Sequence, residues 1–141
     1  MMLNIVLALT NLPLVFLIYK EKNSIKSAAL LGCLIFSTLY HLTETRKYNV
    51  ISKYFRQKIP MTGIGYWKKF EYTFLVLDRF FALSVIGLYF DINILYKNYG
   101  LVFSVCFFSF FSEVIATLSF TYVVSHSLWH FSCFALVYYF I

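Results

Sequence analysis

Long apolar runs alternate with shorter polar segments along the chain, and this pattern predicts a series of helices. The predicted helices lie at about residues 2–19, 28–42, 71–90, 99–119 and 122–141. A membrane-spanning helix needs about 20 apolar residues, which is close to the length of most of these runs. We therefore expect an all-α fold, a polytopic membrane helix bundle of about five transmembrane helices that forms a single transmembrane domain over residues 1–141.

Two features of this prediction depend on a choice between alternatives. The first run, "MLNIVLALTNLPLVFLIY", has neither the basic start nor the small-residue cleavage site of a signal peptide, so we interpret it as a helix kinked at Pro13. The last two runs meet in "LSFTYVVS", which contains no Gly or Pro. One helix of roughly 40 residues would be about 60 Å long, twice the hydrocarbon thickness, and a reversal near residues 119–121 is therefore expected.

A basic polar connection, residues 43–70, separates the second predicted helix from the third. Within it, "NVISKYFRQK" has the pattern of a basic amphipathic helix on the membrane surface, and an ordinary solvated loop is the alternative. The basic residues of the connection are Arg46, Lys47, Lys53, Arg56, Lys58, Lys68 and Lys69. By the positive-inside rule, this connection and the N-terminus are expected on the cytoplasmic side, or on the matrix side of a mitochondrial membrane.

Composition also favours a membrane protein, because 61% of the residues are hydrophobic and 13% are charged, whereas soluble domains have about 25% charged residues. The net charge of +6 does not indicate a nucleic-acid partner, since the basic residues are concentrated in the 43–70 connection. Cys33, Cys106 and Cys133 lie in apolar runs, with the spacing of neither a zinc ribbon nor a disulfide framework. We expect them to behave as small buried hydrophobic residues.

Three histidines and one aspartate are expected at a similar depth near one membrane surface. His41 ends the second predicted helix, and Asp78 lies about two turns into the third. His126 and His130 lie in the first turns of the fifth. In a five-helix arrangement these helix ends share the side of the 43–70 connection. Ionisable residues inside spanning helices are expensive, which makes all four functional candidates.

The spacing of the histidines is that of a metal site. His126 and His130 are at i and i+4, so their rings lie on one helical face and can hold one metal ion. Ser37 and His41 repeat this spacing and place a hydroxyl one turn deeper than the third imidazole. Three neutral imidazoles with an open position are typical of catalytic zinc, with Asp78 holding the bound water and Ser37 donating to an oxyanion. Alternatively, the histidines only hydrogen-bond neighbouring helices.

Together these residues resemble the CREST superfamily of membrane proteins, which includes alkaline ceramidases, adiponectin and progestin receptors, and lipid-remodelling factors of GPI-anchored proteins. The matching residues are Ser37 and His41 in SxxxH, Asp78 early in the next helix, and His126 and His130 in HxxxH. The resemblance implies zinc bound by the three histidines, Ser37 and Asp78 orienting water and substrate, and hydrolysis of a lipid amide or ester. Family members have seven core helices, whereas this chain has room for about five.

Two functions from different classes follow. The first is a zinc-dependent, ceramidase-like membrane hydrolase with membrane lipids as partners. The second is a non-catalytic accessory subunit of a larger membrane complex, favoured by the smaller number of helices and by 17 Phe and 12 Tyr, whose surface other subunits or a second copy would cover. Either function is expected in an organelle membrane, of the ER/Golgi or the mitochondrial inner membrane. Glu113 is expected deeper than the metal, paired with Arg79 or protonated, without a catalytic role.

Overall fold

The computed structural model describes residues 2–47, 59–61, 63, 65–116 and 118–141. The described helices are α1 (Met2–Leu9), α2 (Pro13–Lys20), α3 (Ser24–Thr43), α4 (Glu71–Tyr89), α5 (Ile92–Lys97), α6 (Tyr99–Phe110) and α7 (Ser119–Tyr138). They are accompanied by a 3-10 helix (Gly65–Phe70), a π-helical turn (Phe111–Ile115) and two antiparallel strands, β1 (Arg46–Lys47) and β2 (Ile59–Pro60). Apart from that two-residue ladder, the described chain has the predicted all-α fold.

Three segments are long and apolar enough to cross a membrane, namely Met2–Lys20, Ser24–Thr43 and Trp67–Tyr89. They correspond to the first three predicted helices, and they indicate a membrane protein. The Tyr99–Ile115 segment is also apolar but shorter. The last helix, α7, has 20 residues but includes two histidines and several hydroxyl side chains, which lower its hydropathy. Length and hydropathy thus support three of the roughly five predicted spans.

Polar side chains set several helix boundaries. Asn23 caps α3 by accepting hydrogen bonds from the backbone N–H groups of Ile25 and Lys26, so α3 begins at Ser24 rather than near residue 28. The last reversal comes earlier than predicted, because the π-helical turn ends at Ile115 and α7 begins at Ser119. Both differences follow from hydrogen bonds at helix ends, which a pattern of apolar residues does not define.

The first apolar run is interrupted rather than merely kinked. After α1 ends, residues 10–12 form a turn, and Pro13 is the first residue of α2, where its missing N–H is harmless. Irregular backbone at membrane depth is tolerated where protein groups surround it. Here the turn places Thr10 and Asn11 in the interior, and both side chains are buried.

The interrupted first segment lies between two helix pairs. α1 and α2 both contact α3 and α7, while α4 packs along α3 and α6 packs along α7. The approach of α3 to α4 is close, because a Cβ added at Gly32 would collide with the ring of Phe81. Small residues allow such close packing between membrane helices. This arrangement brings the end of α3 and the beginning of α7 to the same end of the bundle.

The described parts of the 43–70 connection cover that same end. Gly63 lies against the backbone carbonyl of Thr43, with which an added Cβ would collide. Met61 is buried in an apolar cluster with Leu7, Ala116, Tyr122 and Val123. The amphipathic helix predicted for "NVISKYFRQK" lies outside the described residues.

Candidate metal centre

The three histidines of the chain meet inside the bundle. One ring nitrogen from each of His41, His126 and His130 lies within 4.8 Å of those of the other two. The centroid of the His41 ring is 5.0 Å from that of His126 and 5.2 Å from that of His130, and the last two are 4.8 Å apart. The exposed fractions of the three residues are 1%, 3% and 6%, respectively. Three buried imidazoles this close together can hold one metal ion.

Two helices supply these rings. His41 lies in the last turn of α3, and His126 and His130 lie on successive turns of one face of α7. Tyr122, one turn before His126, is fully buried, and its ring centroid is 5.1 Å from that of His126. The rings therefore lie at the closed, Met61-covered end of the bundle and not on its lipid-facing surface.

The Nδ1 atom of each imidazole lies near a side-chain oxygen. The pairs are His130 with Thr10 Oγ1 at 2.7 Å, His41 with Glu44 Oε2 at 3.4 Å, and His126 with Glu113 Oε1 at 3.7 Å. Histidines that bind metals commonly place the second ring nitrogen against a carboxylate or another oxygen in this way.

Glu44 directly follows α3 and is completely buried. Its Oε1 atom accepts hydrogen bonds from the hydroxyls of Tyr40 and Tyr122, at 3.2 Å and 3.4 Å. The amide of Asn4 donates to the backbone carbonyls of both His41 and Glu44, each at 2.8 Å. These bonds hold the end of α3 against α1, which satisfies the helix-terminal carbonyls inside the protein.

The π-helical turn positions Glu113. The N–H of Ala116 donates to the carbonyl of Phe111 at 2.8 Å, an i to i+5 bond of the kind that is frequent at functional sites. The prediction that Glu113 lies deeper than the metal is wrong, because its carboxylate is 3.7 Å from His126 Nδ1. The error came from extending the fourth helix to residue 119, whereas the turn ends at Ile115, two residues after Glu113.

Ser37 lies one turn from His41 on α3, as predicted from its spacing, and is buried. The amide of Asn11 donates a hydrogen bond to Ser37 Oγ, at 3.2 Å. Because the hydroxyl oxygen accepts this bond, its hydrogen is available to donate to another group.

Asp78 is half-buried on α4. The Thr45 hydroxyl donates to Glu71 where α3 and α4 begin to run antiparallel, at 2.6 Å. Seven residues further along α4, Asp78 is level with about Ser37 on α3. Among the described residues, the group that could hold a metal contains the three histidines and not Asp78. Its predicted role in orienting water therefore stays a prediction.

Four polar residues around the histidines were not singled out from the sequence: Asn4, Thr10, Asn11 and Glu44. A signal for two of them exists, because Asn4 and Asn11 are seven residues apart in an apolar run and would share one helical face. Polar groups on one face of a membrane helix are functional candidates. Glu44 was harder to recognise as part of the site, because its position just after an apolar run indicates the start of a polar loop.

Comparison with known proteins gives no relative. No family model matches the chain, and no curated protein or solved structure is significantly similar to it. The functional conclusion therefore depends on the residues and geometry of the site itself and not on similarity of fold.

Proposed function

We propose that the chain is an integral-membrane, zinc-dependent hydrolase of a lipid amide or ester bond, resembling the CREST superfamily in its SxxxH, Asp and HxxxH residues. The observation that supports the proposal is the convergence of three buried imidazoles one turn from the Ser37 hydroxyl. The donor set fits zinc, which in catalytic sites has three protein ligands and one open position. When bound, zinc supplies a Lewis acid and lowers the pKa of water to about 7.

Each residue of the site has a role in this proposal. His41, His126 and His130 bind the zinc. The Ser37 hydroxyl accepts a hydrogen bond from Asn11 and donates one to the substrate carbonyl oxygen, on which negative charge develops. Asp78, level with Ser37, accepts the proton of the attacking water and gives it to the amine or alcohol that leaves as the amide or ester bond breaks.

The apolar surroundings favour a lipid substrate. The exposed faces of the helices carry large hydrophobic side chains, among them Phe80, Leu83 and Ile86 of α4 and Phe103 of α6. Such faces are compatible with a bilayer, which would present acyl chains to the same helices that hold the site. The site lies near one end of the bundle, where an amide or ester at the headgroup boundary would also lie.

Metal analysis of the protein purified in mild detergent tests the first half of the proposal. The wild type is expected to contain about one zinc per chain, as three histidines and one open position imply. The double variant His126→Ala/His130→Ala is expected to contain none. Cys106→Ala is a matched control, because this exposed thiol on α6 is a potential adventitious ligand outside the histidine group. A metal-free wild type would contradict the proposal.

Turnover of fluorescent lipid amides and esters in vesicles tests the second half. Ser37→Ala is expected to keep the zinc and to lower the rate by about 10²–10³, the usual effect of losing an oxyanion donor. Asp78→Asn is expected to keep the zinc and to lower the rate by about 10²–10⁴. A zinc-containing wild type that hydrolyses neither class of lipid would exclude the hydrolase.

The alternative is a non-catalytic accessory subunit of a larger membrane complex, in which the metal has the structural role of holding α3 against α7. It is favoured by the exposure of large apolar side chains on α4, such as Phe80, Leu83 and Ile86, which another subunit or a second copy would cover. The hydrodynamic mass in mild detergent distinguishes the two. An active, stable monomer would contradict this alternative, whereas a larger inactive complex that retains zinc would support it.

A further inference from the structure

Three oxygen atoms from separate segments surround the histidines. Thr10 belongs to the turn between α1 and α2, Glu44 follows α3, and Glu113 lies in the π-helical turn. We call these three residues the outer oxygen ring. The histidines come from α3 and α7, and Glu44 directly follows α3, so four segments of the chain converge on one point. Segments this far apart in sequence meet only through tertiary packing.

The Thr10 contact determines the tautomer of His130. Thr10 Oγ1 is 2.6 Å from the carbonyl oxygen of Leu7 and 2.7 Å from His130 Nδ1. A carbonyl oxygen only accepts hydrogen bonds, so the single hydroxyl hydrogen of Thr10 points to Leu7. The hydroxyl oxygen therefore accepts from His130, which requires the hydrogen of the imidazole to be on Nδ1. The free lone pair of the ring is then on Nε2, which can coordinate a metal ion.

The Glu44 carboxylate favours the same tautomer in His41. An ionised carboxylate is also only an acceptor, and Glu44 Oε2 is at hydrogen-bond distance from His41 Nδ1, 3.4 Å. Glu113 Oε1 lies 3.7 Å from His126 Nδ1, which is an ion-pair distance and beyond that of a hydrogen bond. Glu44 has no exposed surface, and within the described part of the chain its carboxylate contacts two tyrosine hydroxyls and His41. These contacts hold the carboxylate in place beside the imidazole.

We propose that the outer oxygen ring, through Thr10 and Glu44, fixes Nε2 as the ligand atom of His130 and His41. The proposal rests on the metal binding of the proposed function and is independent of lipid hydrolysis.

Cobalt titration of the metal-free protein in mild detergent tests the proposal, because the visible absorption of Co²⁺ reports both its affinity and its ligand geometry. Competition with Zn²⁺ then gives the zinc affinity. Glu44→Gln and Thr10→Val are each expected to weaken binding by about 10–100-fold, as loss of a partner of a metal-bound histidine does. Glu113→Gln is expected to show the smallest loss, since its side chain is 34% exposed and its contact is the longest, 3.7 Å.

Two controls separate positioning from general damage. Thr10→Ser keeps the hydroxyl and is expected to bind cobalt like the wild type, with the same spectrum. Glu21→Gln removes one negative charge at the other end of the bundle, where Glu21 precedes α3, and is expected to leave the affinity unchanged. Far-ultraviolet circular dichroism of each metal-free variant checks the fold. If Glu44→Gln fails to fold, Thr10→Val with Thr10→Ser decides the outcome.

The possible failures are distinguishable. A wild type that binds no metal overturns both this proposal and the proposed function. A wild type that binds cobalt, with unchanged affinity and spectrum in Glu44→Gln and Thr10→Val, overturns the outer oxygen ring alone. Weakened binding in these variants of a protein that hydrolyses no lipid supports the ring and overturns the hydrolase.

Discussion

The two ends of the bundle keep their polar side chains in opposite places. At the histidine end, where α3 ends and α7 begins, the buried polar side chains include Asn4, Thr10, Asn11, Ser37, His41, Thr43, Glu44, Ser125, His126 and His130. At the lysine end, where α2 meets α3, the buried cluster contains Leu14, Leu17, Ala29, Leu30, Val85 and Tyr89. The charged groups of that end lie at its edge, with Lys20 and Lys26 placed 4.9 Å and 4.5 Å from the ring centroids of Tyr138 and Tyr89.

The histidine end is therefore the candidate site, and the lysine end is the packed part of the bundle that supports it. Lysines over tyrosine rings are typical of the boundary between membrane and water, and an apolar core beneath them provides packing. Buried polar groups are unfavourable unless each finds a partner, and a concentration of them at one end marks that end as the candidate functional site. The comparison predicts that substitutions at the two ends change different measured properties.

Loss of packing at the lysine end is expected to have the largest effect on stability. Leu30 has no exposed surface, so Leu30→Ala leaves a cavity and is expected to lower the free energy of unfolding by about 2–5 kcal/mol. Unfolding in a denaturing detergent measures this loss. Zinc affinity is expected to stay unchanged, because Leu30 is about three turns from His41 on α3. Equal losses of stability and of zinc affinity would show that the ends are not separable.

α3 and α4 each contain a glycine, and the two form a matched pair, because one lies in the contact between the helices and the other is exposed. Gly32→Ala is expected to destabilise the protein by about 1–3 kcal/mol, because the new methyl group meets the ring of Phe81. Gly87→Ala meets nothing within 4 Å and is expected to be neutral or stabilising by up to about 1 kcal/mol, as in a helix interior. The same unfolding measurement compares them. Equal effects would contradict close packing at Gly32.

The cover over the histidine end is expected to control metal exchange. Gly63→Ala forces a methyl group against the Thr43 carbonyl and is expected to loosen the Met61 contact locally. A local loss of about 1 kcal/mol would raise the rate of zinc removal by a chelator roughly fivefold. Met61→Leu, which conserves volume, is the control and is expected to keep the wild-type rate. An unchanged rate in Gly63→Ala would show that metal leaves by another path.

The smallest expected effect is at the edge of the lysine end. Partial desolvation raises the pKa of Glu21, but hydrogen bonds from Tyr89 and from the Asn23 N–H outweigh it and place the pKa below its ordinary value. A lowered folded-state pKa contributes stability above the unfolded value of 4.5, and this stability is lost as the pH falls further.

Tyr89→Phe removes this hydrogen bond and is expected to lower stability by less than about 1 kcal/mol at neutral pH, since solvent screens the pair. The difference from wild type is expected to shrink below pH 4.5. Tyr138→Phe loses a hydroxyl that accepts from Lys20, so its effect should not change in this pH range. A Tyr89→Phe effect independent of pH would contradict the role given to Glu21.

The sequence by itself determined the helical class, the apolar segments and the three potential ligands. Apolar runs define where a helix can cross a membrane, because length and hydropathy are local properties. The HxxxH spacing places His126 and His130 on one face for the same reason. The depth of His41 also followed from its position at a helix end, since rise per residue converts sequence distance into depth.

Only the tertiary structure decided that Thr10 and Glu113 meet the histidines, whereas Glu44 is a local neighbour of His41, three residues further along the chain. Thr10 and His130 are 120 residues apart, and their contact depends on how α1 is rotated against α7. Sequence spacing gives the depth of a residue on a helix, but the rotation of that helix against its neighbours comes from packing. The position of Glu113 depended in addition on the π-helical turn, whose extra residue changes the helix end without changing the apolar pattern.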